Sequence, residues 1–298
     1  MRIFLTGAAG HIGSAVVPEL VEAGHHVIAL ARSESSATVA TDLGAEARRG
    51  DTADLGLVAD AAREADGTIH LAFDNDAALR GDLAGASEAD LAVVGALGDA
   101  LAGTGKALVA IGVGPTGDPA VDAAIGQNPR SAVARAVAGL TQRDVRAVLL
   151  GVPPVVHSTR DRTGFVPTLI ALARRTGRSS YLGAGETRWP AVHTRDLGRL
   201  FRLAVESAPA GTQLLGAAED DVTTRRVAEA IGEHLGLPAG PVAPEEAEAH
   251  FGGFALIMGL DFPPMTSAAT RELLGWSPTR PGLLADLAEG HYFAAAGD

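Results

Sequence analysis

Residues 4–17 read FLTGAAGHIGSAVV, and this stretch decides how the rest of the chain is interpreted. Its glycines, Gly7, Gly10 and Gly13, have the spacing G-x-x-G-x-x-G between an apolar run and a helix-like pattern. In such a turn the first glycine allows a sharp reversal, the second lets the backbone approach a diphosphate, and the third lets helix and strand pack closely. The amide groups that begin the helix then face an anion. The stretch predicts a dinucleotide site, against the alternative of an ordinary tight strand-to-helix turn.

The composition limits the classes of function. The chain has 298 residues, of which 47% are hydrophobic, enough for one large core with an appended lobe. The absence of cysteine excludes disulfides, thiolate metal sites and cysteine nucleophiles. The net charge of −12 argues against nucleic acid or an anionic membrane as the main partner. No window approaches the roughly 18 apolar residues of a membrane span, and a strand follows Met1 too closely for a signal peptide, so we expect a cytoplasmic protein.

Apolar runs alternate with helical patterns through the first half. The predicted strands cover 2–6, 26–31, 68–72, 107–111 and 145–150, with a weaker one near 45–48, and the predicted helices cover 11–23, 54–63, 87–102 and 130–141. Continuous apolar strands that alternate with helices indicate a parallel sheet with helices on both faces. The first half is therefore predicted to be a doubly wound α/β fold.

The regularity weakens after Val152. We expect helices over 167–175, 196–207, 223–235, 267–274 and 282–289, short strands over 179–182 and 213–215, and a linker over 237–245. The predicted division is a dinucleotide-binding domain over 1–152, to which 191–218 returns, and a smaller substrate lobe over 153–190 and 219–298. In that lobe an apolar set forms either a hydrophobic substrate pocket or the core: Phe251, Phe254, Met258, Phe262 and Met265.

The end of the second strand bears on which dinucleotide is bound. It reads IALARSES over residues 28–35, with Ala31 and Arg32 where a carboxylate would hold a ribose 2′-hydroxyl, and Ser33 beside them. A guanidinium with a hydroxyl neighbour suits a 2′-phosphate, and the alternative is a solvated arginine at a strand end. The sequence favours NADP(H) over NAD(H).

Five segments in order carry a family resemblance: TGAAGHIG at 6–13, GD at 50–51, IHLAF at 69–73, GVPPVVH at 151–157 and RWPAVHTRDL at 188–197. Along nearly its whole length the chain resembles the extended short-chain dehydrogenase/reductase family, which includes the NAD-dependent epimerases and dehydratases. The resemblance implies a Rossmann domain, a small-molecule substrate and a homodimer through the helices over 87–102 and 130–141. It implies cofactor contacts from Gly7, Ala9, Gly10, His11, Ile12, Gly13, Arg32, Ser33, Asp51, Thr52, Leu71, Ala72, Phe73, Ile111, Pro153 and Val155.

The chain departs from this family at the catalytic pair. Family activity depends on Tyr-x-x-x-Lys, in which the tyrosine exchanges a proton with the substrate and the lysine lowers its pKa. The single lysine here, Lys106, does not follow either tyrosine, Tyr181 or Tyr292, at that spacing. In the corresponding segment Gln127 takes the place of the tyrosine and Ser131 that of the lysine. The usual proton-transfer pair is therefore missing.

Other side chains are candidates for the proton-transfer role. Asp74 and Asp76 follow the fourth strand, where each is either a base or the cap of the next turn. His157 is either an acid–base group or a histidine held by backbone at the domain junction. Arg130 either positions an anionic substrate or lies on a solvated helix face. No H-E-x-x-H motif or dense His/Asp cluster occurs in the sequence, so no metal site is predicted.

These observations favour an atypical NADP(H)-dependent oxidoreductase that acts on a small or medium organic carbonyl compound or alcohol. Two alternatives stay open at this point. One is a non-redox enzyme on the same scaffold, such as an isomerase, cyclase or dehydratase. The other is a catalytically silent NADP(H)-binding regulator.

Overall fold

The computed structural model describes residues 1–114, 123, 126–262 and 264–294. Its strands are β1 (Arg2–Thr6), β2 (His26–Ala31), β3 (Glu46–Arg49), β4 (Gly67–His70), β5 (Ala107–Ile111), β6 (Arg146–Gly151), β7 (Val155–His157), β8 (Ser179–Leu182), β9 (Ala191–His193), β10 (Gln213–Leu215) and β11 (Ala239–Val242). Within these described residues, no helix has the length and apolar character that crossing a membrane requires.

The helices alternate with the strands in the first half and dominate the second. They are α1 (Gly13–Glu22), α2 (Glu34–Asp42), α3 (Leu55–Glu64), α4 (Asn75–Leu79), α5 (Leu83–Leu101), α6 (Ser131–Gly139), α7 (Phe165–Thr176), α8 (Thr194–Ser207), α9 (Thr224–Leu235), α10 (Ala247–Phe251), α11 (Ala255–Met258), α12 (Ala268–Leu274) and α13 (Leu283–Ala288).

A seven-stranded parallel sheet forms the centre of the first unit, in the order β10-β6-β5-β4-β1-β2-β3. Its central strands are buried because helices cover both faces: Ile3, Phe4 and Leu5 of β1 are fully buried. The order reverses between β1 and β4, and ligands of open α/β sheets bind at the carboxyl ends of the strands beside such a reversal. The predicted doubly wound α/β fold is confirmed.

Contacts divide the chain into two units. The first comprises Met1–Val152, Leu197–Leu215 and Ala268–Trp276, and the second comprises Pro153–Asp196, Gly216–Ser267 and Ser277–Asp298. The predicted division also changed at Val152, but it placed the returning segment over 191–218 and assigned α12 to the smaller lobe. In the structure α12 is attached to the large sheet, since the backbone N–H of Leu215 donates to Thr270 Oγ1 at 2.9 Å.

The second unit contains two small parallel sheets, β7 with β9 and β8 with β11. The predicted linker over 237–245 is wrong, because β11 pairs with β8 from Ala239 opposite Ser179 to Val242 opposite Leu182. Its Gly240 and Pro241 are typical of loops, yet a proline is tolerated in a two-stranded sheet, where each strand has a free edge. Phe251 and Met258 lie in the buried core of this unit and Phe254 and Phe262 pack against it, as the core interpretation predicts.

Candidate functional site

The turn after β1 has almost no room for side chains. Gly7 has a φ of +76°, and a Cβ there would lie 2.8 Å from the backbone of Leu71 and Ala72. A Cβ on Gly13 would lie 2.1 Å from the carbonyl oxygen of Gly7, so β1 and α1 meet as closely as backbone allows. The turn therefore packs against the end of β4 and presents backbone, which is the surface that a diphosphate approaches.

The tip of this turn is open. Ala9 and Gly10 are exposed, and His11 and Ile12 are partly buried before α1 begins at Gly13. A Cβ on Gly10 would meet only the Gly7 carbonyl oxygen, at 3.3 Å, so the space beyond this position is open. The first turn of α1 carries no acidic side chain. An anion would meet the positive end of the helix dipole and no opposing charge there.

The ends of β2 and β3 present cationic side chains and no carboxylate at the strand terminus. Arg32 has a side chain that is 80% exposed, with Nε 4.0 Å from Asp51 Oδ2. Arg49 lies opposite Ala31, donates to the carbonyl oxygen of Arg32 at 3.3 Å, and lies 3.5 Å from the Glu34 carboxylate. These two guanidiniums share one edge of the sheet, and each lies within 4.0 Å of a carboxylate.

The other predicted contacts at this edge have structural partners. The Ser33 hydroxyl caps α2 by accepting from the Ser36 N–H at 3.1 Å. Asp51 accepts from the Ala53 N–H at 2.9 Å and from the Thr52 hydroxyl at 3.4 Å. Both side chains are thereby fixed in orientation, and Ser33 is less free than its place beside Arg32 suggests.

The segment after β4 is tied to the glycine turn by Thr6. The Thr6 hydroxyl accepts from the backbone N–H groups of Leu71 and Ala72, each at 3.2 Å. It lies 2.7 Å from His70 Nδ1, and His70 Nε2 lies 2.8 Å from Asp90 Oδ1. With Nε2 protonated, His70 donates to Asp90 and accepts from Thr6, so both of its ring nitrogens are paired. This buried network fixes the end of β4 against the turn.

A narrow cleft, with room for about one water molecule, opens beside this network. Its lining includes His70, Leu71, Ala72, Asp90, Ala110, Ile111, Arg130 and Val133. Arg130 lies over the ring of Phe73, with Cζ 4.1 Å from the ring centroid. Burial lowers the pKa of Arg130, and the charge of Asp90 acts in the opposite direction. Arg130 is thus partly buried at a cleft, not on a fully solvated helix face.

Asp74 and Asp76 take up the positions of helix-capping residues. Asp74 is the N-cap of α4 and accepts from the Ala77 N–H at 2.9 Å, while Asp76 lies in the first turn. Both side chains are exposed. The capping role, which the sequence left as an alternative, accounts for Asp74 without any catalytic function.

His157 lies at the end of β7 in the second unit and is completely buried. Its Nδ1 is 2.8 Å from Asp286 Oδ2, and His291 Nε2 is 3.1 Å from the other oxygen of that carboxylate. Its Nε2 has no hydrogen-bond partner within the described residues. The expectation of a histidine held by backbone is wrong for the ring, because a carboxylate holds it. Pro153 and Val155, on the same segment, are also buried within this unit.

Two further groups surround this pair. Burial, followed by the charge of His157, lowers the pKa of His193 from 6.5 to about 4, and the two imidazole rings are edge to face with centroids 5.4 Å apart. The Tyr292 hydroxyl donates to Asp161 at 3.1 Å, and burial raises the pKa of Tyr292. Hydrogen bonds from His157 and His291 outweigh burial and lower the pKa of Asp286. Asp286 is therefore a buried anion.

The sequence analysis missed Asp90, Asp286 and His291. Asp90 carries a weak signal, a carboxylate within the apolar helix α5, 20 residues after His70. Asp286 is 129 residues from His157 and carries none. Asp286, Glu289 and His291 have ligand atoms within 4.8 Å of one another, and they lie within six consecutive positions of the sequence.

Comparison with known proteins agrees with the fold and the turn. The model of the NAD dependent epimerase/dehydratase family matches residues 3–90, which include the glycine turn, β4 and Asp90. An uncharacterized protein of Schizosaccharomyces pombe is 37% identical over 98% of this chain and 100% of its own length.

Solved structures with low sequence identity share the fold along nearly the whole chain. A dTDP-glucose 4,6-dehydratase from Streptomyces venezuelae with NAD bound is 20% identical, with a TM-score of 0.73 over 98% of this chain and 97% of its own. A Thermus thermophilus UDP-glucose 4-epimerase in complex with NAD is 21% identical, with a TM-score of 0.71 over 99% of this chain and 100% of its own. With the family model on the glycine turn and a full-length relative, they lead to one conclusion: the chain belongs to the extended short-chain dehydrogenase/reductase family, in its NAD-dependent epimerase/dehydratase-like branch.

Proposed function

We propose that the chain is an NADP(H)-dependent oxidoreductase that acts on a small or medium organic carbonyl compound or alcohol. The observation that carries the proposal is the turn from Gly7 to Gly13. There the glycines leave backbone groups, and no side chains, to face a ligand at the start of α1. That cradle fits a diphosphate, since a Cβ at Gly7 or Gly13 would overlap backbone and Gly10 leaves the tip open. When bound there, a nicotinamide dinucleotide supplies or accepts the hydride.

The preference for a 2′-phosphate rests on Arg32 and Arg49. Both guanidiniums lie at the ends of adjacent strands, and the carboxylate nearest Arg32 is 4.0 Å away, too far for a short hydrogen bond. A 2′-phosphate at that edge would gain two charge-assisted partners. The dehydratase and epimerase described above contain NAD, so this preference is a point on which we expect the chain to differ from them.

The proton that accompanies hydride transfer needs a group other than the missing tyrosine, and we assign it to His157. Asp286 holds its Nδ1, as a carboxylate orients the imidazole of an acid–base pair, and leaves Nε2 unpartnered. Because Nε2 is buried, this role requires a local opening around β7 that exposes the ring during turnover. Asp74 is less suited, since its carboxylate caps α4.

Calorimetric titration with NADPH and NADH tests the dinucleotide site. Gly10→Ala adds a methyl group at the open tip without forcing a positive φ, so we expect the variant to fold and to bind NADPH about tenfold or more weakly. Gly95→Ala is the matched control, because a Cβ there meets nothing within 4 Å, and its affinity should be unchanged. Absence of heat with both dinucleotides at millimolar concentration would refute the proposal.

Arg32→Ala tests the choice of dinucleotide. Loss of a charge-assisted hydrogen bond to phosphate should weaken NADPH binding about 10- to 100-fold and leave NADH binding unchanged. Arg63→Ala, which removes an exposed arginine paired with Asp60, should change neither. Equal losses for NADPH and NADH in Arg32→Ala would show that Arg32 does not recognise the 2′-phosphate.

A non-redox enzyme remains the second candidate, because the chain lacks the Tyr-x-x-x-Lys pair. Incubation with NADPH carrying deuterium at C4, in each stereochemical form, and a panel of carbonyl compounds separates the two. Transfer of deuterium into the product supports the oxidoreductase. Turnover with all the label retained in the dinucleotide supports an isomerase, cyclase or dehydratase, and tight binding without turnover of any compound supports the silent regulator.

A further inference from the structure

The guanidinium of Arg130 is an unusual cation for this chain. It lies over the ring of Phe73 and lines the cleft beside β4 and β5. Within the described residues its side chain has no hydrogen bond or ion pair, whereas its backbone N–H donates to Asn128 Oδ1 and its carbonyl oxygen accepts from the Ala134 N–H. Burial lowers its pKa, which shows that the charge has lost part of its water without gaining a close acceptor.

Other arginines in the same unit have acceptors. Arg48 contacts Glu64 at 3.0 Å, Arg143 contacts Asp99 at 2.8 Å, and Arg146 donates to three carbonyl oxygens at the end of α8. The guanidinium N–H groups of Arg130 have no acceptor among the described residues. Donors that are partly buried are usually hydrogen-bonded. A bound ligand in the cleft could supply the acceptor that Arg130 lacks.

The cleft favours a small group with a single negative charge. The space between its described lining residues is little larger than a water molecule, so it admits a small group at most. Asp90 also lines it, and one of its oxygens is committed to His70. Because Asp90 is also negative, a singly charged carboxylate meets less repulsion in the cleft than a dianionic phosphate does, while both can pair with Arg130. Arg130 Cζ lies 4.1 Å from the centroid of the Phe73 ring, and a guanidinium can donate two parallel hydrogen bonds to one carboxylate.

We propose that Arg130 binds a carboxylate of the substrate, so that the substrate is an oxo acid or the corresponding hydroxy acid. The inference rests on the proposed oxidoreductase function and narrows its substrate class. In this arrangement the guanidinium lies over the Phe73 ring, and one oxygen of Asp90 is already hydrogen-bonded to His70. Ala72 and Ile111 supply apolar walls that exclude water from the ion pair.

Matched pairs of probes that differ only in the carboxylate test this assignment. The saturated NADPH complex would be assayed with 2-oxo acids and with their methyl esters, from pyruvate to phenylpyruvate. Binding of oxamate, an unreactive oxo-acid analogue, would be compared with that of neutral oxamide by calorimetry. We expect the acids to be favoured about 10- to 100-fold, mainly through KM, and oxamate to bind where oxamide does not.

Arg130→Gln should abolish the preference for the acid and leave NADPH affinity within about threefold, and Arg130→Lys should retain part of it because lysine keeps the charge and loses the planar fork. Arg135→Gln is the control, since Arg135 lies on the same helix and donates to Ser131. Circular dichroism would establish that each variant is folded.

The outcomes separate this inference from the function on which it rests. Weaker NADPH binding in Arg130→Gln with an unchanged preference for acids would assign Arg130 to the dinucleotide and overturn the inference. The inference also fails if the native protein binds NADPH but treats acids and esters alike. If the native protein binds no NADPH, the proposed function fails, and loss of oxamate binding in Arg130→Gln would still support the carboxylate site by itself.

Discussion

Two histidine–aspartate pairs, one in each unit, have nearly the same geometry and different surroundings. His70 Nε2 lies 2.8 Å from Asp90, and His157 Nδ1 lies 2.8 Å from Asp286. All four side chains are buried. The remaining nitrogen of His70 is paired with Thr6 at 2.7 Å, whereas the remaining nitrogen of His157 has no partner in the described part of the chain.

The difference shows how the two pairs can be assigned different roles. A ring with both nitrogens satisfied is fixed in one tautomer, and His70 therefore acts as a brace between β4, β1 and α5. A buried ring nitrogen without a partner costs stability unless something else uses it. The unpartnered Nε2 of His157 therefore lowers the stability of the folded chain, and it is the atom that a proton-transfer role would need.

The largest expected effect comes from removing the shared carboxylate of the second pair. Asp286→Ala leaves two imidazoles without their acceptor and should lower the free energy of unfolding by about 3–5 kcal/mol. Asp90→Ala removes one charge-assisted bond and should cost about 1.5–3 kcal/mol. Urea denaturation measures both, with Glu289→Ala, an exposed carboxylate on the same helical segment, as a control near zero. If Asp90→Ala proves the costlier change, the pairs have been ranked wrongly.

Replacing each histidine by phenylalanine sharpens the comparison. His70→Phe removes the donor to Asp90 and the acceptor of the Thr6 O–H, and should cost about 2–4 kcal/mol. His157→Phe removes one bond from Asp286, which keeps His291, and eliminates the unpartnered nitrogen, so it should cost about 1–2 kcal/mol.

Turnover should rank these two variants in the opposite sense. His157→Phe is expected to abolish proton transfer while NADPH binding persists, which calorimetry and steady-state assays would separate. A His157→Phe enzyme with native kcat would remove His157 from the mechanism.

The acid dependence of stability comes next in size. The pKa of His193 is about 4 in the folded chain against 6.5 unfolded, so the unfolded chain binds more protons between those values. Stability is therefore complete above pH 6.5 and falls as the pH decreases toward 4, by about 2 kcal/mol once partial exposure is allowed for. His193→Asn keeps an acceptor for the Arg195 N–H and should show a flatter pH profile. Identical profiles for the two proteins would contradict the assignment.

The smallest expected effect concerns the hydrogen bond from Tyr292 to Asp161, near His157. Tyr292→Phe removes one donor to Asp161, which keeps the Gly164 N–H, and should cost about 1 kcal/mol with no change in turnover. A thermal melt and an activity assay suffice. Loss of turnover in Tyr292→Phe would extend the proton-transfer role beyond His157 and blur the contrast between the two pairs.

Local patterns made the first unit predictable. The glycine spacing of residues 7–13 and the apolar runs of β1, β2 and β5 specify turn and strand without distant information. In β11, Gly240 and Pro241 gave the signal of a loop, because the pairing with β8 is a tertiary interaction that composition does not record. The strand ends of β4 and β6 differ from the prediction by one or two residues for the same reason.

The side chains of the candidate site were predictable only where they belong to the turn. Asp286 reaches His157 across 129 positions, so no spacing rule connects them. Asp74 is the opposite case. Its place at the edge of the sheet made it a candidate base, and in the structure its carboxylate caps α4. Arg130 could be named as a candidate from the sequence, but its contact with Phe73 depends on how α6 meets the end of β4.

The large sheet takes its last strand, β10, from residues 213–215, next to β6, which ends at Gly151. During synthesis the outer edge of β6 thus stays uncovered while more than sixty further codons are read. That uncovered edge offers unpaired backbone groups to any other extended chain. A fragment stopped at Val152 would carry the complete glycine turn and still be prone to associate with itself, so gene truncation is a poor route to a minimal dinucleotide-binding module.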